Sequence, residues 1–86
     1  MDKKINSNAE DNKSYSKIRF LACTFTGNNC EFINCEFKHG CDIKESCKFT
    51  NCTFDEYCNF ARGCFVRGCE FVQCKFDIIL ISKIIY

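Results

Sequence analysis

The 86-residue chain has no proline and no tryptophan, four glycines, one histidine and one methionine. So few glycines and no proline leave little of the usual material for tight turns. A lone imidazole, His39, leaves no histidine pair for metal ligation or proton relay. No apolar run reaches the roughly 18 residues of a membrane-spanning helix. Charge of one sign is also missing: 12 basic against 11 acidic residues give a net charge of +1. A polyanion or polycation acting through bulk charge is therefore excluded. The N-terminal stretch, Met1 to Lys17, is polar, without the apolar core of a secretory signal. The expectation is a cytoplasmic protein with reduced thiols, or an extracellular one if a signal has been removed.

What is present in excess is cysteine, ten residues, and phenylalanine, another ten. That cysteine share matches a disulfide scaffold when counted alone, but the order of the residues changes its meaning. Every cysteine is followed two residues later by a large apolar side chain. The pairs are Cys23/Phe25, Cys30/Phe32, Cys35/Phe37, Cys41/Ile43, Cys47/Phe49, Cys52/Phe54, Cys58/Phe60, Cys64/Val66, Cys69/Phe71 and Cys74/Phe76. In extended chain, residues two apart share a face, so both members point inward and the residue between them points out. That middle residue is mostly Glu, Asp, Lys, Thr or Asn; Phe65 is the aromatic exception. Successive cysteines are five to seven residues apart. The interval fits neither an α-helix nor a long strand, but it fits a chain that turns a corner at each repeat, at Asn34, His39-Gly40, Glu45-Ser46 and Arg62-Gly63. The architecture is an all-β single-domain solenoid of about three coils, near the minimum for stacked repeats.

Two coil lengths fit the spacing. Three sides per coil stack Cys30, Cys47 and Cys64 at intervals of 17, with Cys35, Cys52 and Cys69 likewise. Four sides stack Cys30, Cys52 and Cys74 at intervals of 22. The triangular frame is arithmetically cleaner, yet three phenylalanines per layer crowd a triangular bore, and close-packed interiors resist overfilling. Four sides are preferred on volume.

The Cys-x-Phe units, as in Cys30-Glu31-Phe32-Ile33-Asn34-Cys35-Glu36-Phe37 and Cys69-Glu70-Phe71-Val72-Gln73-Cys74-Lys75-Phe76, resemble the pentapeptide-repeat family over about residues 18–77. The family keeps a strict five-residue step and more often alanine at the small inner position. The resemblance implies a right-handed, four-sided β-helix, pairing through C-terminal ends, and in some members binding to type II topoisomerases through a strongly acidic face. Here residues 18–77 hold seven basic and eight acidic residues of mixed placement, so that face is not visible in the sequence.

The remaining segments follow. Residues 1–17 read as a polar, disordered tail. Residues 78–86, Ile-Ile-Leu-Ile-Ser-Lys-Ile-Ile-Tyr, read as a hydrophobic cap over the core or a homodimer seam. The cysteines read chiefly as small buried hydrophobes. No catalytic, metal or cofactor site is assigned, and neither a membrane span nor a basic aromatic groove for nucleic acid is found. The expected role is non-catalytic: a structural or protein-interaction module, with a topoisomerase ligand and a secreted disulfide-stapled binding module as alternatives.

Overall fold

The computed structural model describes residues 1–61, 64 and 68–85. Thirteen short parallel strands are described: β1 (Asp2–Ile5), β2 (Asn8–Ala9), β3 (Ser14–Ser16), β4 (Ile18–Leu21), β5 (Thr24–Phe25), β6 (Cys30–Ile33), β7 (Glu36–Lys38), β8 (Asp42–Ile43), β9 (Cys47–Thr50), β10 (Thr53–Phe54), β11 (Asn59–Phe60), β12 (Glu70–Val72) and β13 (Lys75–Phe76). A terminal helix, α1, spans Ile78–Ile85. Every strand pairs with the one three places along, which sorts them into three sheets: β1-β4-β7-β10-β13, β2-β5-β8-β11 and β3-β6-β9-β12. The molecule is a β-solenoid with three sides, 31 × 24 × 23 Å.

The preference for four sides is thus corrected to three, and aromatic geometry gives the reason. Phe20, Phe25 and Phe32 form one triangular layer with ring centroids 4.9–5.6 Å apart and planes nearly perpendicular. Edge-to-face packing puts the positive ring edge against a neighbour's negative face, so three rings fit where three parallel plates would not. Between layers the rings stack in parallel, Phe20 on Phe37 at 5.2 Å and Phe37 on Phe54 at 4.8 Å. Ile43 replaces one ring in the layer of Phe37 and Phe49, which eases that level further.

Inward slots follow the sequence frame. Cys23, Phe25, Cys30, Phe32, Cys35, Phe37, Cys41, Ile43, Cys47, Phe49, Cys52, Phe54, Cys58 and Cys64 are all buried. Phe60, Cys69, Phe71, Cys74 and Phe76 are half-buried against this core. Val66 lies outside the described residues. Phe20 and Leu80 join the core from outside the Cys-x-Phe series.

Residues 1–17, expected as a disordered tail, instead carry β1, β2 and β3 as a first coil in register with β4, β5 and β6. Lys4 stands opposite Phe20 and Tyr15 opposite Phe32. The physical reason is templating: the edge of the next coil presents a row of unpaired amides and carbonyls, and pairing with it satisfies both chains. At the far end, the Asp77 carboxylate accepts the Ile79 amide at 2.9 Å, an N-cap for α1. Leu80 is buried over the last layer, and Lys83 Nζ donates to the Glu56 carbonyl at 2.8 Å, fixing the helix to the preceding coil. Among the described residues no helix is long and apolar enough to cross a membrane.

Candidate functional site

Corners decide what the cysteines do. Asn6, Ala22 and His39 at the first corner, Asn12 and Asn29 at the second, and Lys17, Asn34, Asn51 and Gln73 at the third all have φ between 50° and 61°. Asparagine tolerates this left-handed conformation better than other residues with a Cβ, and here it supplies five of the nine non-glycine positions. The amides also stack: Asn29 Nδ2 donates to Asn12 Oδ1 at 2.9 Å, and Asn51 Nδ2 to Asn34 Oδ1. Gly40, at φ 90°, doubles the corner at His39.

A cysteine enters the interior directly after most corners, and its thiol reaches the coil before it. At the first corner Cys23, Cys41 and Cys58 donate to the carbonyls of Lys4, Phe20 and Phe37 at 3.3, 3.4 and 3.2 Å. At the second, Cys30 and Cys47 donate to Glu10 and Gly27 at 3.0 and 3.6 Å. At the third, Cys35, Cys52 and Cys74 donate to Tyr15, Phe32 and Phe49 at 3.8, 3.4 and 3.4 Å. These are three ladders of S–H···O=C contacts, one inside each corner. A carbonyl has two lone pairs, and the thiol takes the one the strand ladder leaves over: the Phe37 carbonyl accepts the Asp55 amide at 3.1 Å as well as the Cys58 thiol. A thiol is small enough for the slot and can donate, whereas alanine fills it without donating.

Within a ladder neighbouring sulfurs interact. The shared hydrogen bond between Cys35 and Cys52 splits the pair, holding Cys52 well above its ordinary value and lowering Cys35 to about 7; the bond between Cys41 and Cys58 likewise raises Cys58 and lowers Cys41. Burial pushes Cys47 up to about 11. Cys47, Cys52 and Cys58 therefore keep their protons at neutral pH and are poor nucleophiles and poor metal ligands. Eight cysteines are free: Cys23, Cys30, Cys35, Cys41, Cys47, Cys52 and Cys58, all buried, and Cys74, half-buried. The other two, Cys64 and Cys69, form a disulfide with Cα atoms 5.4 Å apart. His39 is exposed at a corner, where its backbone amide donates to Asp55 Oδ2 at 2.9 Å. Among the described residues no group of three or more His, Cys, Asp or Glu could hold a metal ion.

Outside the core, the solenoid presents three flat faces whose residues repeat once per coil. The widest carries Lys3, Arg19, Glu36, Thr53 and Lys75 in one row, with Ile5, Leu21 and Lys38 in a second. Arg19 Nε meets Glu36 Oε1 at 3.0 Å and Lys38 Nζ approaches the same oxygen at 3.7 Å. A shallow cleft of about 300 Å³ opens on this face between Lys38, Asp55, Lys75 and Asp77. The second face shows a row of Asn8, Thr24, Asp42 and Asn59, with Asn59 Nδ2 donating to Asp42 Oδ1 at 3.1 Å. The third shows Ser14, Glu31, Lys48 and Glu70, the last two 4.0 Å apart, flanked by exposed Ile33 and Val72. Beside it, a polar groove passes Asn12, Asn29, Ser46 and Lys48; Ser46 is half-buried, and its hydroxyl oxygen has no hydrogen-bond partner among the described residues.

The sequence frame located the ladder cysteines. It gave no sign of their acceptors, nor of the Cys64–Cys69 bond. The asparagines at residues 12 and 29, and at 34 and 51, each 17 apart, were the signal that could have extended the solenoid to the N-terminal end. No family model, curated protein or solved structure matches the chain.

Proposed function

We propose that the chain is a non-catalytic repeat module of the pentapeptide type, a short rigid rod that binds another protein through the flat face of β1, β4, β7, β10 and β13. The observation that carries this reading is the division of labour between inside and outside. Among the described residues no polar or charged side chain is buried, and the interior thiols are engaged with backbone carbonyls. The outer rows, by contrast, hold side chains of both signs on a scaffold that fixes their spacing at about 4.8 Å from coil to coil. Regular spacing on a rigid support lowers the ordering cost of binding. Interleaved Lys, Arg, Glu and Asp on one face suit a complementary protein surface better than a polyanion.

The test is cross-linking to cell extract with mass spectrometry, using three forms of the protein. A discrete partner captured by the parent should be lost from the Arg19→Glu/Lys75→Glu variant and kept by a Thr24→Lys/Asn59→Lys variant on the second face. Equal capture by both variants, or none by the parent, defeats the assignment.

A second reading concerns the end of the rod. Ile78, Ile79 and Ile81 on α1 are 78%, 48% and 40% exposed, which favours a homodimer through Ile78–Tyr86. Sedimentation velocity decides it: the parent should sediment as a dimer and an Ile81→Lys variant as a monomer. A monomeric parent across the micromolar range removes this reading without touching the first.

A further inference from the structure

The last coil is longer than the others, and the excess has a definite size. Phe32 pairs with Phe49, and Phe37 with Phe54, each 17 residues apart; Phe49 pairs with Phe71, and Phe54 with Phe76, each 22 apart. The five extra residues equal the separation of Cys64 and Cys69. They amount to one surplus repeat unit, since Cys64-Phe65-Val66 obeys the Cys-x-apolar frame as Cys69-Glu70-Phe71 does. Two units thus compete for one side of the triangle. The 17-residue period assigns the place opposite Cys47 to Cys64. The structure gives it to Cys69, whose sulfur accepts the Cys47 amide at 3.4 Å, while Glu70 pairs with Lys48.

The sequence supplies apolar residues for either register. As observed, Phe71 stacks on Phe49 at 5.2 Å and Phe76 on Phe54 at 5.0 Å. Counted along the sequence, a shift of one unit would assign the place on Phe49 to Val66, the place on Phe54 to Phe71, and a place on Phe60 in the second sheet to Phe76. One Phe–Phe stack becomes Val–Phe, and a further stack is added. Outside, the Lys48–Glu70 pair is exchanged for Glu70 beside Thr53. Register is weakly specified when a shift returns apolar residues to the same face, as a shift of one whole unit does here.

The disulfide is compatible with only one of these arrangements. In the shifted register Cys64 stands opposite Cys47 and Cys69 opposite Cys52. Those positions lie one side of the triangle apart, on the order of 10–13 Å along extended chain, beyond the roughly 7 Å between Cα atoms that a disulfide can bridge. We propose that the Cys64–Cys69 disulfide is a redox-operated register lock: oxidised, it holds the last coil in the 22-residue register, and reduced, it frees that coil to slide by one five-residue unit. The chemistry needs a low-molecular-weight dithiol. It supplies two electrons and two protons, the S–S bond breaks, thiols form on Cys64 and Cys69, and the dithiol leaves as its own cyclic disulfide. The slide carries Glu70, Lys75 and α1 to new places on the rod, so the lock governs which outer rows are complete.

The experiment is NMR on the isotope-labelled full chain before and after dithiothreitol, reading inter-strand cross-peaks. In the oxidised protein Lys48–Glu70 cross-peaks are expected. After reduction they should fade and Thr53–Glu70 cross-peaks should take their place, while Glu31–Lys48 cross-peaks persist to show that the earlier coils remain folded. Deleting residues 64–68 removes the surplus unit, and that variant should keep Lys48–Glu70 cross-peaks with or without reductant. Persistence of Lys48–Glu70 in the reduced parent overturns the proposal. Loss of those cross-peaks without the Thr53–Glu70 set overturns it equally, since the bond is then only a staple. A deletion variant that still responds to reductant overturns it as well, because the surplus unit is not the cause.

Discussion

The first coil and the coils that follow it share a backbone and almost nothing else. β1, β2 and β3 pair in register with the next coil, and their corners at Asn6, Asn12 and Lys17 adopt the same left-handed conformation as those at Ala22, Asn29 and Asn34. Yet the first coil has no cysteine and no phenylalanine, and among its described apolar side chains only Tyr15 packs against the core cluster. The coils from β4 to β10 are lined by buried Cys and Phe. The difference separates two sources of order in a solenoid. Core packing sets the coil's size and makes it stable, while edge pairing with suitable corners copies that size onto a segment with no core of its own. The first coil is held by what it accepts: its carbonyls at Lys4, Glu10 and Tyr15 receive the thiols of Cys23, Cys30 and Cys35.

Substitutions can break this contrast, and the largest effect belongs in the packed coils. Replacing Phe54, stacked between Phe37 and Phe76, with Ala should cost about 3–5 kcal/mol in chemical denaturation. Thr53→Lys beside it faces outward and should be nearly silent. Equal effects at the two positions contradict the inward–outward frame.

Next come the ladders. Cys41→Ala removes the donor to the Phe20 carbonyl and should cost about 1–2 kcal/mol, the net worth of one hydrogen bond plus the packing of the lost sulfur. The corresponding change in the first coil has no thiol to remove. If Cys41→Ala is neutral, cysteine at this slot is only a space filler.

Corners rank third. Asn34→Ala should cost about 1–2 kcal/mol, because a left-handed residue with an ordinary Cβ is strained, and Asn34→Gly should cost less. A reversed order of these two variants argues against a left-handed corner.

Titration gives a further comparison. Cys47 in the folded protein holds its proton up to about 11, whereas an unfolded thiol ionises near 8.5. Between those values the unfolded state binds fewer protons, so stability falls with rising pH. The contribution is fully present below about 8.5 and lost by about 11. Denaturation midpoints measured from pH 7 to 10.5 should decline over that window, and a Cys47→Ala variant should decline less. A flat profile for the parent indicates that Cys47 already ionises in the folded state.

The smallest expected effect is a gain. Lys4 occupies the row of Phe20, Phe37, Phe54 and Phe76, so Lys4→Leu extends that row to the end of the rod. Partial burial of a leucine there should add about 0.5–1 kcal/mol. No gain would show that the first coil cannot be made core-like by side chain alone.

These regions also explain what was legible in the sequence. The solenoid and its inward residues were readable from Cys23 to Cys58 because each Cys-x-apolar unit announces both faces. Ring volume and the family resemblance both favour four sides, but volume ignores ring orientation, and edge-to-face layers such as Phe20–Phe25–Phe32 need less room than it suggests. The first coil was invisible because hydrophobic patterning is the main signal and templated pairing leaves none; only its asparagines at 17-residue spacing carried information. The outer faces could be sorted residue by residue, but their rows could not be aligned, since a 17-residue and a 22-residue coil place different side chains together. The ladder acceptors were out of reach for a simpler reason, being backbone carbonyls that every sequence has.

The thiol ladders run in one direction: each coil donates to the coil before it and receives from the coil after. A coil therefore arrives with its own donors and offers acceptors for free. A tandem duplication of seventeen codons, the spacing between Cys30 and Cys47, inserts a complete new layer that meets the hydrogen-bonding needs of both neighbours without any further change. Genes of this kind can lengthen by copying error alone, and the cysteine count of their products rises by three with every copy of the full pattern.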